Sequence, residues 1–470
     1  MFINRNAELA QFNRLYQSTR AEFLILYGRR RVGKTELLRV FCQDKPHIYF
    51  IASLSSDSNQ LADFSQQIWN YAHPDGSQGP VFTSWEAAFR ALEDLPGRPV
   101  IVLDEFTYLI SGNKAIPSIL QKVWDEKLKN ASLMLVLCGS YIGMMETEVL
   151  GYRAPLYGRR TASTLLTALD FPSSALFFPE YHAADRFTAW GILGGMPYYL
   201  LAFDPHEDIR TNIRNRILDP QNATLFNEPR LLLMEELHEP RNYFSILRAI
   251  AQGRTRLNEI TQGSGLEQPG TVARYLDLLQ QMHLITRRVP ATESQPEKSK
   301  KGLYQIDDHF LRFWFRYVHP NQAAIDLGLA DGVLEQRILP DLDHFVGLAF
   351  ERASRDYLAA LARAGKLSFV PERIEGWWDR NIEIDVLAVS ELQRSIIAGE
   401  CKWSVNPVGV DILNDLKSKV SVLNQTGQWE KVQYSLFSRS GFTPALRGQA
   451  ALEDVLLVEV DQMLLADPEA

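Results

Sequence analysis

The run Phe23-Leu24-Ile25-Leu26-Tyr27 passes directly into Gly28-Arg29-Arg30-Arg31-Val32-Gly33-Lys34-Thr35, which satisfies every position of the pattern G-x-x-x-x-G-K-[ST]. Apolar strand, glycine-framed loop and helix in that order constrain a chain strongly, because the loop's backbone N–H groups and the positive end of the helix must face an anion. The reading places Gly28, Arg31, Val32 and Gly33 around a triphosphate, with Glu36 in the first turn of the helix. Lys34 is expected on the β and γ phosphates and the Thr35 hydroxyl on a magnesium ion.

Roughly 70 residues further on, Val100-Ile101-Val102-Leu103 ends in Asp104-Glu105. A strand apolar on both faces belongs inside a parallel sheet, whose carboxyl edge is where such sheets bind ligands. Asp104 is therefore expected to hold magnesium through water, and Glu105 to orient or deprotonate the water attacking the γ-phosphate. A third apolar run, residues 133–138, leads to Gly139-Ser140 at the same edge. Ser140 reads equally as a γ-phosphate sensor and as the N-cap of the turn at residues 142–145. Arg159 and Arg160 are placed to reach the γ-phosphate in cis or from a neighbouring subunit, or to form a basic docking loop.

These residues resemble the AAA+ and STAND group of P-loop ATPases, and more narrowly the archaeal-type ATPase family found also in bacteria. The opening Phe2-Ile3-Asn4-Arg5-Asn6-Ala7-Glu8-Leu9 is similar to that family's F-x-x-R-x-x-E-L start, with Asn4 where glycine is more usual. The resemblance implies ATP or ADP as ligand, magnesium as cofactor and Arg5 near the base. Gly194-Gly195-Met196-Pro197 is similar to the G-x-P signature of the family's helical lid, which implies that Pro197 contacts adenine. Read physically, the same residues end one helix and start another.

A chain of 470 residues exceeds one core, and the length suggests roughly three domains. Its formal charge of −8 argues against a protein coated in nucleic acid while leaving room for a basic face. Three scattered cysteines, Cys42, Cys138 and Cys401, have no metal or disulfide spacing and read as buried thiols. No apolar run approaches the ~18 residues that span a bilayer, so the expectation is a cytoplasmic chain without a membrane partner.

Four segments follow: an ATPase core (1–170), a helical lid (171–235), a winged helix-turn-helix with its connection (236–325), and a C-terminal α/β domain (326–470). In the third, helices at residues 242–251, 255–262 and 271–282 precede two strands and a polar tip at residues 291–301. Arg274, Gln280 and Gln281 face outward on the third helix, and Arg287, Arg288, Lys298, Lys300 and Lys301 mark the wing. The pattern suits DNA, or a latch within the molecule as is common in STAND-like ATPases. The aromatic run at residues 309–317 reads as a core connection.

In the last segment, β-rich runs at residues 382–389 and 395–403 flank a polar loop, which reads as a hairpin. A turn centred on Leu392 and Gln393 sets Asp385 opposite Glu400 and Glu383 opposite Lys402. Like charges directly opposite destabilise a hairpin unless something cationic joins them. A divalent ion on Asp385 and Glu400, with Lys402 beside it, is nuclease geometry. The pattern D-x(14)-E-x-K resembles the PD-(D/E)xK nuclease superfamily, specifically the domain that accompanies archaeal-type ATPases, although no proline precedes Asp385. That resemblance implies a further acid on a preceding helix, which Glu351 supplies, and magnesium or manganese on Glu351, Asp385 and Glu400.

Together these readings predict a P-loop ATPase whose nucleotide state controls a metal-dependent nuclease acting on nucleic acid, DNA ahead of RNA, in an undecided homo-oligomeric state. The competing readings are a nucleotide-set scaffold whose last domain binds without cutting, and a winged-helix transcription regulator.

Overall fold

Strand β1 (Glu22–Tyr27) is buried along almost its whole length, as a run of five apolar residues between two covered faces requires. The computed structural model describes residues 2–464 apart from 75, 77, 78, 238, 239, 426 and the side chain of 236. The chain divides into two compact units, Met1–Ala168 and Leu169–Ala470.

In the first unit β1 joins β2 (His47–Ile51), β3 (Val100–Asp104), β4 (Met134–Gly139) and β5 (Ala162–Leu165) in the order β2-β3-β4-β1-β5. Every neighbouring pair is parallel, so all the strands deliver their carboxyl ends to one edge. Because β4 lies between β1 and β3, the residue after β4 stands between the loop after β1 and the acids that end β3. Helices Asp57–Ala72 and Trp85–Ala91 cover the sheet with Phe64, Trp85 and Phe89, whose rings pack against one another and, through Phe64, against Phe50 of β2.

The second unit begins with short helices, among them Ala183–Leu193 and Pro197–Leu200. Asp170 caps the first of the series by accepting from the Ser173 N–H at 3.0 Å. Gly195 sits where no side chain fits: a Cβ there would lie 1.7 Å from the Leu169 carbonyl oxygen. The Leu169 N–H also donates to the Gly195 carbonyl at 2.8 Å, so the two backbones are locked together. Gly195→Ala is expected to destabilise this unit by about 3 kcal/mol, read as a lowered urea midpoint.

Three helices, Arg241–Ala251, Leu257–Ser264 and Pro269–Gln281, precede an antiparallel pair, β6 (Ile285–Arg288) and β7 (Leu303–Ile306). The expected threonine opening of the second of these helices is replaced by Arg256 at the N-cap, with the Glu259 carboxylate accepting from the Thr255 and Arg256 N–H groups. The aromatic residues Phe310, Phe313, Trp314 and Phe315 are fully buried, as their density implies.

Beyond them the 22-residue helix Leu342–Arg363 packs on a second sheet built from β8 (Arg373–Trp378), β9 (Glu383–Ser390), β10 (Ser395–Lys402), β11 (Lys431–Ser438) and β12 (Leu456–Glu459). Their order is β12-β11-β10-β9-β8, antiparallel from β8 to β10 and parallel from β10 to β12. Helices Val410–Leu423 and Pro444–Glu453 make the two parallel crossovers. Among the described residues no helix is long and apolar enough to cross a membrane. Cys42 and Cys138 are buried and Cys401 is partly buried, its thiol pKa raised by burial.

Candidate functional site

The loop after β1 has the backbone its glycines allow. Arg31 and Gly33 both take positive φ, at 70° and 96°, and a Cβ on Gly28 would come within 2.3 Å of the Leu166 carbonyl. Lys34 and Thr35 open the helix Lys34–Cys42; Val32 is buried and Glu36 is exposed on its first turn. The Lys34 ammonium donates back to the loop, to the carbonyls of Gly28 at 2.8 Å and Arg29 at 3.0 Å. Burial lowers its pKa, against the pull of nearby acidic groups including Glu105 and Asp104.

At the neighbouring strand ends, Asp104 accepts from the Thr35 hydroxyl at 3.0 Å through Oδ2 and from the Glu105 N–H at 2.9 Å through Oδ1. Oδ2 also accepts from the Tyr49 hydroxyl at 2.8 Å, a partner not foreseen from the sequence. Tyr49 lies on β2, the strand paired with β3, and burial first and Asp104 second push its pKa up, so it stays a donor. A hydroxyl inside the apolar strand His47–Ile51 was the one available signal. Removing this hydrogen bond to a charged group costs about 1.5 kcal/mol, so Tyr49→Phe is expected to lower ATP turnover about tenfold in a steady-state phosphate-release assay.

Glu105 has the left-handed backbone φ of 51° and accepts from the Ser140 hydroxyl at 2.7 Å. Ser140 therefore binds the acid; the following short helix takes Tyr141 as its N-cap, without a side-chain hydrogen bond. Arg5 reaches the loop from the chain's start, donating to the Val32 carbonyl at 3.4 Å and the Thr167 carbonyl at 2.7 Å.

Arg159 is held elsewhere, in a fork on Asp125 with contacts of 2.8–3.1 Å and on the carbonyls of Pro155 and Tyr157. Arg160 donates to the Leu150 carbonyl at 3.3 Å. Pro197 belongs to the second unit, where it is the first residue of Pro197–Leu200, and the preceding helix ends at Gly194 with φ of 68°.

A second constellation lies wholly within the second unit. The strands β9 and β10 pair Ser390 with Ser395 through to Val386 with Gly399, so Asp385 and Glu400 come next on the two strands. The Cys401 N–H donates to Asp385 Oδ2 at 2.9 Å, fixing that carboxyl across the ladder. Glu351, on the long helix, faces the same region: burial, then the charges of Glu351 and Glu400, raise the Asp385 pKa to about 8. Burial likewise raises Glu351, against Arg355 and Arg288.

Glu400 is buried and accepts from Lys402 Nζ at 2.9 Å and from Lys419 Nζ at 2.9 and 3.1 Å. Lys419 comes from helix Val410–Leu423 and had no sequence signal beyond its charge. A cleft of about 500 Å³ opens here, lined by Glu383, Asp385, Glu400, Asp415 and Lys419 among others. Among the described residues no three His, Cys, Asp or Glu side chains are arranged as a metal-binding group. The reason is visible in the pairings: Glu400 turns to two ammonium groups, and Glu351 Oε2 lies 3.9 Å from Arg355 Nη1. The carboxylate oxygens of Glu351, Asp385 and Glu400 are hard donors of the kind a divalent ion takes, and, after burial, the charges of Glu351 and Glu400 both raise the Asp385 pKa.

The basic residues expected on the wing are largely engaged within the unit. Arg288 Nε lies 3.3 Å from Glu375 Oε2, Arg287 donates to the Pro296 carbonyl at 3.0 Å, and Lys301 pairs with Glu293 at 2.7 Å. The Ala291 N–H and the Trp378 indole join this hairpin to β8, donating to Gly376 and Lys301 carbonyls at 2.9 and 3.2 Å.

Residues 2–203 match an ATPase domain family described as predominantly from Archaea, and residues 314–412 match one described as "Archaea bacterial proteins of unknown function". An uncharacterized protein of Methanocaldococcus jannaschii is 34% identical over 407 residues, covering 86% of this chain and 88% of that one. An uncharacterized ATP-binding protein of the same archaeon is 49% identical over 45 residues, 10% of this chain and 76% of that one. Among solved structures, the Walker-type ATPase PABY2304 of Pyrococcus abyssi aligns with a TM-score of 0.51 at 21% identity, over 67% of this chain and 96% of that chain.

Proposed function

This chain belongs to the family of the 34%-identical M. jannaschii protein and carries an ATPase domain of the predominantly archaeal type, and on that premise we propose that its nucleotide state controls a metal-dependent nuclease acting on DNA. The observation that carries the output chemistry is the crossing of β9 and β10, where Asp385 is bonded to the Cys401 N–H beside Glu400 and Lys402.

In the ATPase core, Lys34 would exchange its two loop carbonyls for the β and γ phosphates. Thr35 and Asp104, already in contact, would hold magnesium, and Glu105, oriented by Ser140, would direct the attacking water. The Arg159 fork on Asp125 supports a role for that arginine inside its own subunit's fold, leaving Arg160 as the candidate for the γ-phosphate.

We read residues 171–235 as the lid, 236–325 as a winged helix and 326–470 as a PD-(D/E)xK nuclease-like domain. The docking of the wing hairpin on β8 supports a latch rather than a DNA reader. Glu351, Asp385 and Glu400 would hold the divalent ion, which supplies charge stabilisation and an activated water at a phosphodiester. Lys402 and Lys419 would then be released from Glu400 toward the anionic substrate. Control would be relayed within the unit through Trp403, next to Lys402, which packs on Phe187 of helix Ala183–Leu193 and on Phe350 of the long helix, at 4.7 and 5.1 Å between centroids.

Titrating nucleotide-free protein with Mn²⁺ under electron paramagnetic resonance tests the site. The expected result is a bound ion that Asp385→Asn weakens at least tenfold; equal binding by both proteins contradicts it. One observation favours a second reading, a nucleotide-set scaffold without cleavage: two lysines already neutralise Glu400. That reading predicts tight Mg·ADP retention, slow turnover and no Mn²⁺ site at Asp385.

A further inference from the structure

Three arginines converge on a pocket of about 490 Å³ that shares no lining residue with the cleft at Asp385. Arg230 comes from helix Thr224–Glu236, Arg241 and Arg248 from helix Arg241–Ala251, and the far wall is built by Trp314 and His319. The volume falls in the range of small-ligand sites, about 300–1,000 Å³. Arg230, Arg241, Arg248, Phe244, Trp314 and His319 all lie within the second unit.

The charge is one-sided. Among the described residues no acidic side chain lines the pocket, and none of the three guanidinium groups has an ion pair. This contrasts with the arginines nearby in the same unit: Arg210, Arg214 and Arg216 are all paired with acids. Like charges gathered around one concavity repel one another even where, as here, all three residues are exposed, and an anion bound among them would relieve that repulsion. Guanidinium forks favour phosphate, whose oxygens accept several charge-assisted bonds at once.

His319 adds a second observation. Its Nδ1 is closed off from solvent and has no hydrogen-bond partner among the described residues. Burial, then Arg248 and Arg230, lower its pKa and keep the ring neutral, so it offers one donor and one acceptor nitrogen. The imidazole stands 6.0 Å from the Phe244 ring and 5.2 Å from Trp314, whose indole is pinned by donation to the Phe226 carbonyl at 2.7 Å. Phe244 and His319, both half-buried and with ring planes 48° apart, thus add aromatic surface to the arginine-lined pocket.

We propose that this pocket binds a small nucleotide, with its phosphate on Arg230, Arg241 and Arg248 and its base against Phe244 and His319. Convergence from two helices on one concavity favours a free mononucleotide over a nucleic-acid strand, whose regularly spaced phosphates call for basic residues along a track. The site shares no residue with the Lys34 loop, so the protein would respond to two nucleotides: one hydrolysed, one sensed.

The test uses the full chain with its Lys34 loop filled by Mg·ADP and isothermal titration of AMP, GMP, CMP and UMP, with uridine as the phosphate-free control. At least one monophosphate is expected to bind and uridine not to. Arg241→Gln/Arg248→Gln should weaken binding at least tenfold, and Ser245→Trp, which fills the pocket while keeping its charge, should abolish it. ATP turnover and circular dichroism of both variants are expected to match the wild type. Absence of binding at millimolar concentration, or binding unaffected by both variants, overturns the proposal. So does binding of a thymidine oligonucleotide, but no mononucleotide, that the double variant abolishes.

Discussion

Lys34→Ala is expected to lower ATP turnover by roughly three orders of magnitude, the scale on which a fixed charge at a transferring phosphoryl group acts. The ammonium is buried at the mouth of the loop, where it donates to two backbone carbonyls. Two nearby arginines are engaged with other groups: Arg30 donates to the Tyr108 hydroxyl at 2.7 Å, and Arg5 donates to the Val32 and Thr167 carbonyls and pairs with Glu8. The change should leave folding intact, because the loop's shape rests on Gly28, Arg31 and Gly33 rather than on the lysine. Phosphate release by the purified variant, alongside an unchanged thermal midpoint of the nucleotide-free protein, checks both halves of this expectation.

The second large effect belongs to Asp385 and Lys402. Asp385→Asn and Lys402→Ala are each expected to lower magnesium-dependent DNA cleavage by at least 10²-fold while ATP turnover persists. A stability measurement separates this loss from misfolding. Burial and the neighbouring acids raise the Asp385 pKa to about 8. Its unfolded value is about 4, so ionisation opposes folding progressively as pH rises between those values. Asparagine removes that opposition and can still accept from the Cys401 N–H. The metal-free variant is therefore expected to melt above the wild type at pH 8, with the difference vanishing toward pH 4. A variant that melts lower at pH 8 contradicts the carboxylate cluster itself.

The chain's local grammar carried far. Five apolar residues followed by a glycine loop placed β1 and the helix Lys34–Cys42, and the polar loop between Ser390 and Ser395 gave the β9–β10 register whose next residues are Asp385 and Glu400. These features depend on residues close in sequence or joined by a tight turn, where pattern and geometry coincide. What stayed hidden depends on distant packing. Tyr49 meets Asp104 across 55 residues, Arg159 finds Asp125 across 34, and Arg288 meets Glu375 across 87. Lys419 reaches Glu400 because a crossover helix folds back on β10, which its spacing alone does not announce. The arginine pocket was equally invisible, since Arg230, Arg248 and His319 are ordinary residues until their elements are brought together.

Coupling between the two chemistries is read out by cleavage of supercoiled plasmid by the wild-type chain with magnesium, in the presence of ATP, ADP or neither. Nicked or linear product is expected at a rate that changes at least severalfold between nucleotide states, with the response to ATP lost in Lys34→Ala and all cleavage lost in Asp385→Asn. No divalent-dependent cleavage of plasmid or linear DNA in any nucleotide state would contradict it.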